Sequence, residues 1–330
     1  MTLHKTSTRV LTALALSTLT AAIFPAVASA QTYPDKPVRW VVPFPPGGAM
    51  DNIARTLAES MGGAMGQSFV VENRPGAGGN IGAYAVSRSP ADGYTIMIVA
   101  NGMAVNPFLY KSMNYDPIAD FAPISLLAVV PNVLVTNPKR NDAKTVAQVI
   151  AKAKAAPDKY TYASAGVGTS IHLAGELFVS MTGTKMLHIP YKGSGPAIAD
   201  MLGGQVDYMF DSVTSAKPHI DAGKLTAIAV TTAKRSAALP NVPTIAEAGV
   251  KGYELTPWFA AFAPAGTPPA IIDKLNAAML AALKTPKVQA TLSSIGAEPI
   301  GGSPAELKAY LAEETKKGKA LITERNISVD

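Results

Sequence analysis

The sequence predicts an α/β protein built from two domains, and three observations carry that reading. Strand-like and helix-like segments alternate through most of the chain, which argues for sheets covered by helices. Two almost wholly apolar runs, Ile124–Val135 and Trp258–Ala263, bracket its middle. A chain of 330 residues is also long enough to divide into more than one core. The two runs read as strands that leave one domain and return to it. The first domain is therefore expected in two pieces, residues 31–130 with 255–330, and residues 131–254 form a second domain inserted between them. A double crossover of this kind makes a hinge.

Residues 1–30 read as a signal peptide. Lys5 and Arg9 give a basic start, Val10–Leu19 is an apolar stretch diluted by Thr and Ser, and Ala28-Ser29-Ala30 is a cleavage signal before Gln31. That stretch is shorter than the roughly 20 apolar residues a membrane span needs. The mature protein is expected to start near Gln31 and to be secreted or periplasmic. With the leader gone, the 29 Lys and Arg fall by two against 23 Asp and Glu, leaving +4 in place of +6. The charges are scattered, and no basic stripe interleaved with aromatics suggests a nucleic-acid surface. The absence of Cys excludes a Cys nucleophile and a thiolate metal site.

The mature chain opens with a strand at Val38–Val42, a Pro/Gly loop, and a helix with Ile53, Ala54, Leu57, Ala58 and Met61 on one face. Helix-start N–H groups lack intrahelical partners, so this loop is a natural seat for a small anion. Without a following Gly-Lys-Ser/Thr it is not a Walker loop, and a carboxylate suits it better than a phosphate. Phe69–Val71 follows as a strand, then a glycine-rich loop through Asn80 and a helix from Ile81 to Ser87. Gly76–Ile81 departs from the dinucleotide fingerprint at its sixth position. Asp92-Gly93 turns into a strand at Tyr94–Val99, which ends in a loop at Ala100–Met103.

In the inserted domain, helices are expected near Thr145–Ala155, Ser170–Met181, Pro196–Leu202 and Ser215–Ala222. Strands are expected near Tyr160–Ala163, Leu187–Ile189, Val206–Phe210 and Leu225–Val230. Leu173, Leu177, Phe178 and Met181 recur at helical spacing and read as core. After the second crossover, Pro268-Pro269 precedes an amphipathic helix through Leu283, and Pro304 opens another.

The residues needed for familiar catalysis are not arranged for it. The four His fall at His4, His172, His188 and His219, with no His-Glu-x-x-His. No Gly-x-Ser-x-Gly elbow or Ser-x-x-Lys occurs. No catalytic residue, metal or cofactor is assigned. Small polar loops recur instead after strands: Pro43–Asp51, Gly76–Asn80, Asn101–Met103, Ala163–Ser170 and Phe210–Ser212. Ligands of open α/β sheets bind outside the carboxyl ends of strands, so these loops point to a cleft between the domains.

The motifs at these loops, Val42-Pro43-Phe44-Pro45-Pro46-Gly47-Gly48-Ala49-Met50-Asp51, Glu72-Asn73-Arg74-Pro75-Gly76-Ala77-Gly78-Gly79-Asn80, His172-Leu173-Ala174-Gly175-Glu176 and Pro190-Tyr191-Lys192-Gly193, give the chain a specific resemblance. Tyr115-Asp116-Pro117, Gly203-Gly204-Gln205-Val206-Asp207 and Pro243-Thr244-Ile245-Ala246-Glu247 extend it over essentially the whole mature sequence. It resembles the Bug-type substrate-binding receptors of the tripartite tricarboxylate transporter family. The resemblance implies a type II periplasmic-binding-protein fold, two α/β domains joined by a double-crossover hinge, closing on a small carboxylate. It implies delivery of a di- or tricarboxylate to a two-component membrane permease by a monomeric receptor. A ligand sensor for a signalling partner and a hydrolytic enzyme in the same cleft are the alternatives.

Carried over residue by residue, the resemblance puts Phe44, Gly48 and Ala49 in the first ligand loop, with Asp51 orienting that loop or capping the helix. Asn101 and Met103 form the third loop. Ser164, Gly166, Thr169, Ser170 and His172 form the loop and helix start of the second domain, and Asp211 faces the cleft from a strand end. Met103, where a small hydroxyl residue is expected, supplies an apolar wall and suggests a ligand with an apolar or aromatic body.

Overall fold

The structure is a computed structural model that describes residues 33–325 and 327. The signal peptide expected at residues 1–30 lies outside the described residues. Among the described residues no helix is long and apolar enough to cross a membrane.

The first lobe opens as β1 (Val38–Val42), α1 (Ala49–Met65), β2 (Phe69–Asn73), α2 (Asn80–Ser87), β3 (Thr95–Val99), α3 (Gly102–Leu109) and β4 (Phe121–Val129). The second lobe takes β5 (Asn132–Thr136), α4 (Val146–Ala155), β6 (Thr161–Ser164), α5 (Ser170–Thr182), β7 (Leu187–Pro190) and α6 (Ser194–Leu202). It continues through β8 (Tyr208–Ser212), α7 (Val213–Asp221) and β9 (Thr226–Val230). The chain then returns through β10 (Trp258–Pro264), α8 (Pro269–Lys284), α9 (Pro286–Ser294), β11 (Glu298–Pro299) and α10 (Pro304–Arg325).

Each lobe is built on one sheet, ordered β11-β4-β10-β3-β1-β2 in the first and β7-β6-β8-β5-β9 in the second. Strand β1 runs parallel to β2 and β3, and β6 runs parallel to β7 and β8. The strands that cross between lobes break this rule: β10 is antiparallel to β3 and β4, and β5 to β8 and β9. The reason is directional. Strands β3, β6 and β8 end at the cleft, whereas β5 and β10 begin beside it, so Asn132 pairs with Ser212 and Ala260 with Val99.

Both sheets are covered on two faces, as the alternation of side chains along a strand requires. In β1, Val38, Trp40 and Val42 join one core and Val41 the opposite one; in β5, Leu134 faces one core and Val133 and Val135 the other. Burial of each such side chain stabilises the fold by about 1.5–3 kcal/mol.

The apolar run Ile124–Val135, expected as one connecting strand, is two. It breaks at Val130-Pro131, because Pro131 has no N–H to donate to a ladder, and its halves join different sheets. Beside this break the second crossover is tied down. The Val130 N–H donates to the Pro257 carbonyl (3.1 Å), Thr231 N–H to Asn132 (2.9 Å) and Leu255 N–H to Thr231 (2.9 Å). The two crossovers between the sheets are thereby bonded to each other. The stretch expected as a loop beyond Asn101 is the helix α3, with Pro107 in its last turn.

Candidate functional site

Between the lobes lies a cleft enclosing about 950 Å³ of empty space, part of it open to solvent. Its walls are largely apolar, with Phe44, Met50, Met103, Tyr115, Ile171 and Phe259 among them. Among the described residues that line it, Asp51 is the one charged side chain.

The first jaw is the loop between β1 and α1. Asp51 is not the cap of α1; that position is Gly48, and Asp51 lies inside the first turn. Its Oδ2 accepts the Gly47 N–H (3.0 Å) and Arg55 Nε (3.0 Å), and its Oδ1 accepts Asn73 Nδ2 (2.9 Å), which also donates to the Phe44 carbonyl. Burial pushes the Asp51 carboxyl upward, but the hydrogen bonds from Arg55, Asn73 and Gly47 outweigh it and hold the group below the usual carboxylate range. Asp51 is thus a committed anion that fixes the loop.

The second jaw is the β6–α5 loop. Thr169 caps α5, accepting the His172 N–H (3.3 Å) while its own hydroxyl donates to the Gly166 carbonyl (2.7 Å). Ser170, the first residue of the helix, lines the cleft beside it. Ser164 lies behind the loop: its Oγ accepts the Gly166 N–H (3.1 Å) and pairs with His188 Nε2 (2.6 Å). His188 is stacked between Tyr162 and His172, at 4.9 and 4.2 Å between ring centres. His172 Nδ1 accepts the Gly168 N–H (3.3 Å), which puts its proton on Nε2, 3.6 Å from Glu176 Oε1. Tyr162 also donates to Glu176. Burial, then the neighbouring His172, pushes His188 down to about 3, so it is neutral in this stack. Burial pushes the Glu176 carboxyl up, but His172 and Tyr162 hold it below its ordinary value.

Of the residues expected to touch ligand, Phe44, Gly48, Ala49, Asp51, Met103, Thr169 and Ser170 line the cleft together. The other five stand behind it. Asn101 accepts the Trp258 N–H with its Oδ1 (3.3 Å), Ser164, Gly166 and His172 brace the second jaw, and Asp211 is wholly buried. Asp211 accepts from Ser215, from Ser194 and from the Ser212 N–H, and burial pushes it up to about 6. It therefore acts on the cleft through Ser194, at the start of α6.

Sequence reasoning missed Gly193–Gly195 at that helix start, together with Tyr115, Asn106 and Asn132, which also line the cleft. The signal for the first was the Pro190-Tyr191-Lys192-Gly193 run, which closes on a further polar loop after a strand.

Helix caps separate two kinds of helix start. At α5 and α7 one first-turn N–H each, that of His172 and that of Ser215, is taken by the side chains of Thr169 and Ser212. At α1 and α6 the capping positions are Gly48 and Gly193, which make no side-chain cap. N–H groups without a side-chain cap, at the positive end of a helix dipole, thus meet the cleft from both lobes, and such positions favour negative charge. The jaws also touch. A Cβ at Gly193 would lie 2.9 Å from the Pro45 ring, and one at Gly168 only 2.6 Å from Asn106 Oδ1. Leu173 of α5 is buried with Val105 and Leu307 of the opposite lobe.

Two α/β lobes on a double crossover, with ligand loops at the facing strand ends, define a periplasmic-binding-protein fold of type II. The chain belongs to the tripartite tricarboxylate transporter receptor family, whose profile matches residues 53–327. It is 40% identical over 319 residues to Protein BugT of Bordetella pertussis, covering 96% of this chain and 97% of that one. Among solved structures it is similar to an R. palustris protein with adipate (40% identity, TM-score 0.87, 90% of this chain and 100% of the other). It is similar also to MatC from Rhodopseudomonas palustris with bound malate (31% identity, TM-score 0.83, 88% and 100%).

Proposed function

We propose that this protein is a periplasmic receptor that captures a small di- or tricarboxylate between its lobes and hands it to a two-component membrane permease of the tripartite tricarboxylate type. The observation that carries this reading is the pair of uncapped helix starts, α1 and α6, one on each side of an apolar cleft. Carboxylates at opposite ends of one ligand complete both helices and draw the lobes together, while Phe44, Met50, Met103 and Phe259 pack against the carbon chain. In this reading residues 31–130 with 255–330 form one jaw and residues 131–254 the other. The mature chain is a monomer that begins near Gln31, and capture and hinge closure, with no bond made or broken, are the whole mechanism. Relatives described with adipate and malate support a dicarboxylate ligand.

A thermal-shift screen over mono-, di- and tricarboxylates tests it. Ligand that binds only the folded state stabilises it by about 2.7 kcal/mol at one hundred times its Kd. A melting temperature that rises with one or more di- or tricarboxylates is expected; none that does so, at millimolar concentration, would overturn the reading.

A further inference from the structure

Asp211 is the one acid of the second lobe whose whole surface is buried, and carboxylate capture gives it no task. Its donors are all neutral: the Ser215 hydroxyl, the Ser194 hydroxyl and the Ser212 N–H (2.9 Å). Among the described residues no cation acts on it. The charged groups of the elements beside it are engaged elsewhere or distant. In α6, Asp200 is bonded to Tyr191; in α7, Lys217 pairs with Asp221 and His219 lies in the last turn. Strand β5 sets Val133 against Asp211 in register, and β6 holds no charged residue. A carboxylate so deeply buried is ordinarily paired with a cation or made neutral.

Ser194 links this acid to the cleft. It is the first residue of α6, whose start has no side-chain cap, and it lines the cleft while bonding to Asp211 behind. An ionised Asp211 holds the Ser194 hydrogen, which leaves that hydroxyl only lone pairs to offer the cleft. A ligand carboxylate is an acceptor as well. At this helix start it therefore meets an oxygen with nothing to donate and, one hydroxyl behind it, a second negative charge. The charge balance points the same way. Among the described residues no cationic side chain lines the cleft, Asp51 is already paired with Arg55 (3.0 Å), and a helix start supplies only about half a positive charge.

We propose that Asp211 takes up a proton when a carboxylate settles at the start of α6, so that this receptor binds its ligand and a proton together. The proton comes from water. The protonated acid donates to the Ser194 oxygen, and the Ser194 hydrogen turns to the ligand carboxylate. Burial already pushes Asp211 up to about 6, against the pull of its three hydrogen bonds, and a like charge nearby pushes it further in the same direction. Affinity is accordingly greater where Asp211 is protonated, and it grows as pH falls toward 6. The inference rests on the carboxylate-capture reading and adds to it a proton held by the protein, with no bond of the ligand made or broken.

Calorimetry on the full mature chain tests it, with succinate, malate, adipate and citrate as probes, from about pH 8 to about pH 6 in two buffers of different ionisation enthalpy. Over that range the affinity for a probe that binds is expected to rise about fivefold more in the unaltered protein than in Asp211→Asn, as when a bound charge raises a neighbouring acid by about one pKa. The variant, read under the same conditions, cancels the protons that the probe itself exchanges. The heats in the two buffers are expected to show greater proton uptake by the unaltered protein. The same pH dependence and the same proton count in both would overturn this inference and leave carboxylate capture standing, whereas no binding by any of the four probes would overturn both. If the variant fails to fold, carbon-13 titration of the Asp211 carboxyl in the unaltered protein decides. Its midpoint is expected to move up when a probe saturates the cleft, and an unmoved midpoint would overturn the inference.

Discussion

In the first lobe the ligand loop is held by charge. Asp51 gathers the Gly47 N–H, Arg55 and Asn73 on one carboxylate, and Arg55 is half exposed to solvent at the lobe surface. In the second lobe the corresponding loop is held from behind by a stack of buried Tyr162 and His172 with partly buried His188 between them, and Ser164 joins His188 to the Gly166 N–H. The two jaws therefore divide the work differently. The first presents a helix start anchored by one ion, while the second rests on a network inside its own core, where every partner removed leaves another group unsatisfied. Changes in the second jaw are expected to register in stability, and changes at the seam between the jaws in affinity.

The seam gives the largest expected effect. Gly168 has a φ of +81°, and a Cβ there would lie 2.6 Å from Asn106 Oδ1 and 2.9 Å from Leu109 Cδ1. Gly168→Ala combines left-handed strain of about 1–3 kcal/mol with a collision against the ends of the Asn106 and Leu109 side chains, relieved by their turning aside or by the jaws parting. Dicarboxylate affinity by calorimetry is expected to fall about a hundredfold. Undiminished affinity would mean that ligand does not need this seam closed.

Next comes the buried network. Ser164→Ala strands the Gly166 N–H and His188 Nε2, and urea unfolding is expected to show a loss of about 1–3 kcal/mol. Were the loss confined to ligand affinity, Ser164 would be a contact residue and the contrast between the jaws would fail.

A further effect, small near neutral pH, grows as the solution is made acidic. His188 titrates near 3 in the folded protein against its ordinary value of 6.5. Between those values the unfolded chain binds more protons, so His188 costs stability as pH falls from about 6.5 toward 3, by up to about 1.4 kcal/mol per pH unit. Asp211, pushed up to about 6, acts in the opposite sense, since between 6 and 3.8 the folded state binds the extra proton. Subtracting the stability curve of His188→Gln from that of the unaltered protein isolates the histidine. A difference that does not change with pH would place His188 in contact with water.

Much of this was legible in the sequence. Strands β1, β3, β6 and β8 announce themselves by apolar runs followed by loops rich in Pro, Gly, Ser or Asn, and two of those loops carry Phe44, Gly48, Thr169 and Ser170 into the cleft. The break in Ile124–Val135 is less legible, because both halves are buried and only Pro131 hints that the chain changes sheets. Helix α3 is hidden by Gly102 at its start and Pro107 near its end, and α9 by having only Val288 and Leu292 buried. Ser164 and His172 sit in ligand-loop motifs yet turn inward, Ser164 toward His188, 24 residues further along the chain, and His172 toward Glu176 one helical turn on. Asn106 and Asn132 were overlooked for the opposite reason: each is a polar residue within an apolar helix or strand, where pattern alone reads it as an interruption.

The central claim is that carboxylate meets the uncapped starts of α1 and α6 from the two lobes at once. Backbone amide chemical shifts, recorded while a dicarboxylate chosen by thermal shift is added, test it most directly. The account predicts that the amides of Ala49 and Met50 move together with those of Ser194 and Gly195, along one binding curve. Shifts at one of these helix starts without the other, or at neither while the protein still binds, would contradict it.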